Sequence, residues 1–378
     1  MDGRIIAQPG SGIATYAATL RRAHLQMAPT PLLLKDDSCD RESPPVSGKE
    51  RAMRWLSALT TSSIQANLET GSKKEAILYA QDIFRLARVR FRQSGKMLNI
   101  NAPCPHGLIH WSLPVPIRIA NWINIYTIHD VIPLSHPHLT PMNSARHRLL
   151  LNKILETADH IVTVTTHAEH SIIENLNFSP KLITNCGIPV EPIGFDILAL
   201  PKPFYRDKYF IFVGSSEPRK NVTALITAYK RSGTSLPLLL IGPHESHADP
   251  AAGIWNLPQQ PADLLAAFIA QARALVFPSL AEGFGLPVAE AMALGTAVLT
   301  SNEGALAEVA GDAALLIDPR DIGTIAQSLA MLANDDALVR SMEQRGRLRT
   351  ADFSADKFTK KLSELYGALF SRSTMEHA

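Results

Sequence analysis

Residues 278–295 read PSLAEGFGLPVAEAMALG, and the reading of this stretch decides the fold around it. Just before it, the apolar run ALVF at 274–277 has the length of a buried strand. A loop holding Gly283 and Gly285 follows, then Pro287, which suits the first turn of a helix. Residues 288–294 continue with strong helix formers, and Gly295 is a natural terminator. Strand, glycine loop and helix start together offer backbone N–H groups and a positive dipole end to an anion. Two carboxylates, Glu282 and Glu290, bracket the loop. A diphosphate repels carboxylates, so they are expected to accept hydrogen bonds from neutral hydroxyls. A ligand with phosphates in its middle and sugar hydroxyls on either side meets both conditions, which describes a nucleotide-sugar. On this local pattern alone, a plain βα unit with a glycine turn and a solvated glutamate fits as well.

Working outward, 378 residues suggest two domains, each able to bury its own core. A hydrophobic content of 46% with 19% charged residues is that of an ordinary globular protein, and a net charge of +2 argues against a dedicated nucleic-acid binder. Cys39, Cys104 and Cys186 are isolated and odd in number, so no disulfide framework is expected and a reducing cytoplasm fits. No run reaches the ~18 apolar residues of a membrane span, and the first residues lack the apolar core of a leader. The expected location is therefore cytoplasmic. No G-x-x-x-x-G-K-[ST] loop and no H-E-x-x-H occurs, and His106 and His110 have no evident third zinc partner. Asp-x-Asp is also missing, so neither a metal nor another cofactor is expected.

In chain order, PGSGI at 9–13 is a glycine loop containing Gly12, and 14–22 reads as a helix. Residues 32–34 suit a strand, 35–50 a polar loop, and 51–59 and 75–91 helices. On the second helix Phe84, Ala87 and Phe91 share one face and Arg85, Arg88 and Arg92 another. That face is either simply solvated or rests on anionic lipid. A strand over 123–128 ends in His129-Asp130, where a ligand of a parallel sheet would lie. Another strand, 160–164, leads into Thr165, Thr166 and His167. Prolines at 189, 192, 201 and 203 mark a linker over 188–202. The second domain restarts with a strand at 209–213, a loop at 214–221 carrying Gly214, Arg219 and Lys220, and a helix at 222–231 with Asn221 as its expected N-cap. Arg219 and Lys220 read as a solvated pair or as a diphosphate clamp. Further strands at 236–241, 274–277, 297–300 and 315–317, with helices between, imply a parallel sheet covered on both faces. Residues 244–260 are irregular, and 358–370 form a last amphipathic helix.

The EGFGLP segment from Glu282 followed by Glu290 resembles the E-x7-E signature of family-4 retaining glycosyltransferases of GT-B fold. The likeness extends to TSNEG at 300–304, Glu308, GDAALLIDP at 311–319, HDVIPL at 129–134 and EPRKN at 217–221. It implies an α/β chain of two Rossmann-like domains facing across a cleft. These are an acceptor domain over 1–195, a nucleotide-sugar domain over 196–355, and a helix over 356–378 crossing back. In that family a glycine loop matching 9–13 follows the first strand; here only Ile5 and Ile6 before it are clearly apolar, so that strand is expected to be shortened or missing. The implied reaction is sugar transfer, with retained configuration and no metal, from a nucleotide diphosphate sugar to a glycan or lipid-linked acceptor in cell-surface polysaccharide synthesis. GDP-mannose is the favoured donor, from the likeness to bacterial polysaccharide mannosyltransferases. Peripheral contact with the inner membrane face would accompany a lipid-linked acceptor.

The implied catalytic residues are His129, Glu282, Arg219 and Lys220. His129 would contact the transferring sugar, Glu282 the donor sugar, and Arg219 and Lys220 the phosphates. Gly12, Gly214, Gly283, Phe284, Gly285 and Leu286 would line the donor, and Glu290 would hold its ribose. Two other readings fit the same residues: an inactive nucleotide-sugar binder, and another GT-B activity such as an epimerase or hydrolase.

Overall fold

The computed structural model describes residues 1–3, 12–27, 32–36, 49, 53, 56–57, 60–70, 76–191, 194 and 201–376. Most of the glycine loop 9–13, of the helix expected over 51–59, of the polar loop 35–50 and of the linker 188–202 lies outside them.

The six strands of the C-terminal half form one parallel sheet. Its order is Ile254–Leu257, Leu238–Ile241, Phe210–Val213, Ala274–Phe277, Ala297–Ser301, Leu315–Ile317. Numbered along the chain this is 3-2-1-4-5-6, the doubly wound order in which a ligand crevice opens where the winding reverses. The reversal falls between Phe210–Val213 and Ala274–Phe277, which pair through Phe210 with Ala274 and Ile211 with Leu275. The loops leaving those two strands are 214–221 and 278–285, so the topology brings the two motif loops to one place. Both strands are almost entirely buried, as a sheet covered on each face requires.

Among the described residues, the N-terminal half holds three smaller sheets. Ile183–Asn185, His160–Thr163, Ile123–Thr127 and Leu108–Trp111 are parallel, and so are Ser63–Gln65, Leu98–Asn101 and Ile117–Ile119. The third sheet runs Leu32–Asp36, Ala76–Ala80, Asn67–Thr70. Residues 4–11, where the shortened first strand is expected, lie outside the described residues; before them, Asp2 makes a parallel bridge to Leu34. Its buried carboxylate accepts from the Ser112 N–H at 2.6 Å and Oγ at 3.0 Å, joining two sheets.

The helix expected over 75–91 is corrected. Residues 76–80 are a strand, and the helix is Ile83–Ser94. Asp36, 46 residues earlier, accepts from the Asp82 N–H at 2.8 Å and the Phe84 N–H at 3.3 Å. A buried carboxylate there satisfies free N–H groups and favours a helix start at 83. Phe84, Ala87 and Phe91 are buried as expected. Arg85 bonds Asp82 at 2.7 Å through Nε, so of the basic face Arg88 and Arg92 stand exposed. Residues 244–260 are also more regular than their sequence: Ile254–Leu257 is the edge strand of the large sheet.

The final helix, Ala355–Glu376, returns to the N-terminal half. Phe358 meets the Tyr16 ring at 6.1 Å between centroids, and Tyr366 Oη lies 2.8 Å from His24 Nε2 on the first helix, Gly12–Gln26. Tyr16, Phe358 and Leu362 belong to the same buried core as the large sheet. Among the described residues, no helix is long and apolar enough to cross a membrane.

Candidate functional site

Arg219 and Lys220 sit in a short 3-10 turn, Pro218–Lys220, at the carboxyl end of Phe210–Val213. Across the switch point, Glu282 takes both cations. Arg219 Nη1 donates to its Oε2 at 2.6 Å, and Lys220 Nζ lies 2.7 Å from its Oε1. Ser279 Oγ also donates to Oε1 at 2.7 Å. Three of the roughly four acceptor positions of a carboxylate are thus used, leaving about one for a ligand hydroxyl. Glu217 accepts from Arg219 Nε at 2.8 Å, so two cations face two carboxylates before any ligand arrives. Burial alone would raise the Glu282 carboxyl, but Lys220 and Arg219 outweigh it and hold the group below the usual carboxylate range. Lys220 is lowered by burial, and its ammonium also caps the Phe277 ring at 4.6 Å from the centroid. Gly214 lies beside Lys220: a Cβ there would come within 3.6 Å of the lysine Cε.

The helix after the 278–285 loop is Leu286–Leu294, capped at both ends by glycine. Gly285 holds φ at 94°, a left-handed value that a side chain strains to adopt. Gly283 is required for a different reason. A Cβ there would lie 2.5 Å from the His129 carbonyl oxygen and 3.2 Å from Asp130 Cβ. The loop therefore presses backbone to backbone on the strand end of the N-terminal half, and Thr165 Oγ fastens it by donating to the Gly283 carbonyl at 2.9 Å. Gly12, exposed at the head of the first helix, faces Leu286: a Cβ on it would lie 3.1 Å from Leu286 Cδ1.

His129 donates from Nε2 to the Ser112 carbonyl at 2.9 Å, which leaves Nδ1 as its free acceptor. Burial lowers its pKa, so the imidazole is neutral near pH 7. Tyr16 packs edge-on against its ring with centroids 4.7 Å apart. The carboxyl of Glu290, one turn into its helix, makes no hydrogen bond to the described residues, and burial raises it. A half-buried carboxylate with unused acceptors is suited to a pair of hydroxyls.

The structure brings Gly214, Arg219, Lys220 and Glu282 into one cluster, and His129 with Gly283 into another. Phe284 is different: its ring is buried and turned away onto Phe353, at 5.5 Å, so only its backbone faces the loop. Asn221 occupies the expected N-cap position of Val222–Ser232 but does not cap with its side chain. It has φ 58°, and its amide donates to the Pro278 and Pro319 carbonyls at 3.2 and 2.7 Å, tying three loops together.

Ser279 and Glu308 have positions that local pattern does not reveal. Glu308 accepts from the Thr166 and His167 N–H groups, both at 2.8 Å, so a carboxylate from the C-terminal half caps a helix of the N-terminal half. His244, in the stretch read as irregular, is buried with Nε2 2.8 Å from the Gly214 carbonyl. A cavity of about 270 Å³ opens beside Glu282, with Asp130, His167 and Ser171 on one wall and Glu303, Leu306 and Arg320 on the other.

The chain is similar to known glycosyltransferases in sequence and in fold. The family model for group 1 glycosyl transferases matches residues 201–349. The O-antigen chain mannosyltransferase B of Escherichia coli is 29% identical over 270 residues, covering 65% of this chain and 70% of its own. The serotype-specific mannosyltransferase WbdA of Escherichia coli is 26% identical over 275 residues, but the chain spans 33% of its length. In fold, sucrose-phosphate synthase from Thermosynechococcus elongatus superposes with a TM-score of 0.67 at 17% identity, covering 96% of this chain and 94% of that one.

Proposed function

We propose that this chain, a mannosyltransferase-like protein of GT-B fold carrying a group 1 glycosyl transferase domain, transfers mannose from GDP-mannose to a glycan or lipid-linked acceptor. The observation that carries the reading is the meeting of the two loops at the switch point, with Gly283 set against His129. Arg219 and Lys220 receive the diphosphate, which exchanges with Glu282 for part of their hydrogen bonding. Glu290 takes the ribose hydroxyls, and the remaining acceptor of Glu282 takes a hydroxyl of the sugar. Neutral His129 accepts from a further sugar hydroxyl beside the anomeric carbon.

Transfer proceeds on one face of the sugar. The bond from the anomeric carbon to the phosphate oxygen breaks, the acceptor oxygen bonds that carbon from the same side, and its proton passes to the departing phosphate. Configuration is retained. Charge growing on the phosphate is met by Arg219, Lys220 and the N–H groups of the 283–286 loop, so no metal is needed. Exposed Arg88 and Arg92 give the N-terminal half a peripheral hold on the inner face of an anionic membrane, where a lipid-linked acceptor would be presented.

The test is incubation with GDP-mannose and octyl α-mannoside, beside a panel of other nucleotide-sugars. GDP release coupled to a new α-linked dimannoside supports the reading. GDP-mannose consumed at the same rate without acceptor, or no turnover of any donor that binds, refutes it.

A further inference from the structure

Five side chains with no role in the foregoing scheme form one hydrogen-bonded file between the last helix and the cleft. His24 Nε2 lies 2.8 Å from Tyr366 Oη, which lies 2.5 Å from His110 Nδ1. His110 Nε2 lies 2.8 Å from Thr127 Oγ1, and Thr127 Oγ1 lies 2.8 Å from Tyr16 Oη. The file ends there, but the Tyr16 ring stands edge-on to His129 at an interplanar angle of 90°. His24, His110, Thr127 and Tyr16 are all buried. Their elements are the first helix, the neighbouring strands Leu108–Trp111 and Ile123–Thr127, and the last helix.

Burial keeps both imidazoles neutral: His24 falls to about 3 and His110 well below its ordinary value. The five residues then carry five hydrogens for four contacts, one on each hydroxyl and one on each imidazole. Each group that donates to one neighbour must accept from the other, so the directions are coupled along the file. Removing one oxygen in the middle releases the groups on both sides of it.

His129 is held by one hydrogen bond, from Nε2 to the Ser112 carbonyl, and a ring so held can pivot about that line. The Tyr16 ring, perpendicular to His129 with centroids 4.7 Å apart, is the wall that blocks the pivot. The Tyr16 hydroxyl lies on the ring's own axis, so its bond to Thr127 does not stop ring flips but opposes a swing of the side chain about Cα–Cβ and fixes where the ring sits. We propose that the file makes Tyr16, Thr127, His110 and Tyr366 positioning residues for His129, so that the seating of Ala355–Glu376 sets the attitude of that ring in the cleft. The effect on rate rests on the reading of His129 as a contact of the transferring sugar; the effect on the ring does not.

The test uses the full chain and reads the His129 ring by histidine-selective NMR, its signal assigned by its loss in His129→Gln. Turnover is followed with GDP-mannose and octyl α-mannoside. Thr127→Val removes only the linking oxygen, and Thr127→Ser keeps it. The expected result for Thr127→Val is a moved His129 signal and a kcat lowered about tenfold, with KM for GDP-mannose within about twofold. Thr127→Ser restores both. Tyr366→Phe cuts the file between His24 and His110 and gives the same readout should Thr127→Val not fold. A His129 signal that stays in place in these variants overturns the proposal. A moved signal with unchanged kcat upholds the file and overturns the assignment of His129 to the sugar. The signal is read whether or not GDP-mannose is turned over, so failure of the donor assignment leaves the test intact.

Discussion

Gly283→Ala is expected to damage turnover while leaving nucleotide affinity nearly intact. Gly283 is not at positive φ, so alanine costs nothing in backbone conformation there. The cost is spatial. The new Cβ would stand 2.5 Å from the His129 carbonyl oxygen, where ordinary contact begins at 3.4 Å, so the two backbones must part by about 0.9 Å. The carbonyl is main chain and a Cβ is fixed rigidly to its own Cα, so neither can swing aside as a long side chain would. That displacement separates the donor loop from His129, and a misplacement of about 1 Å costs on the order of 10²-fold in rate, or about 2.7 kcal/mol. Arg219, Lys220, the 283–286 loop and Glu290 all belong to the C-terminal half and are tied to one another through Glu282, so a gap opened against His129 leaves them together and GDP should bind within about threefold of the unaltered protein. Steady-state kcat with GDP-mannose and octyl α-mannoside, beside calorimetric titration with GDP, measures the two effects separately. A kcat within about threefold of the original would refute the claim that this backbone contact sets the reacting geometry.

Arg219→Ala and Lys220→Ala should each lower kcat by about 10²- to 10³-fold, more than they raise KM, because phosphate charge grows in the transition state; a rise in KM alone would restrict them to ground-state binding. Glu290→Gln should weaken GDP binding by about 1.5 to 3 kcal/mol in calorimetry. The same change should raise Tm at pH 7: burial raises the Glu290 carboxyl, so its ionisation costs stability as pH rises through the raised value, and the difference between variants vanishes below about pH 4. Activity should survive excess EDTA, and loss restored by magnesium or manganese would show that a cation shares the diphosphate site. Replacing Arg88 and Arg92 by Gln should weaken co-sedimentation with anionic liposomes by about 1 kcal/mol per side chain, and equal sedimentation would remove the membrane contact.

The sequence by itself determined most strands of the C-terminal half closely. Apolar runs bounded by glycine and proline are local signals, so the strands at 274–277 and 315–317 coincide with Ala274–Phe277 and Leu315–Ile317. The motif loops and their charged residues were legible for the same reason. Tertiary structure decided what periodicity does not encode, namely which strands are neighbours. Only the 3-2-1-4-5-6 order puts Arg219 against Glu282, 63 residues away, and makes the two cations and their carboxylate one cluster. The strand Ala76–Ala80 escaped because an apolar segment beside a helix reads as more helix, until pairing with Leu32–Asp36 and capping by Asp36 divide it. Asn221 carries a cap residue's chemistry, yet its left-handed backbone turns the amide toward Pro278 and Pro319. The file from His24 to Tyr16 joins residues up to 342 positions apart, and hydrogen-bond directions shared over that distance arise only when the last helix is seated.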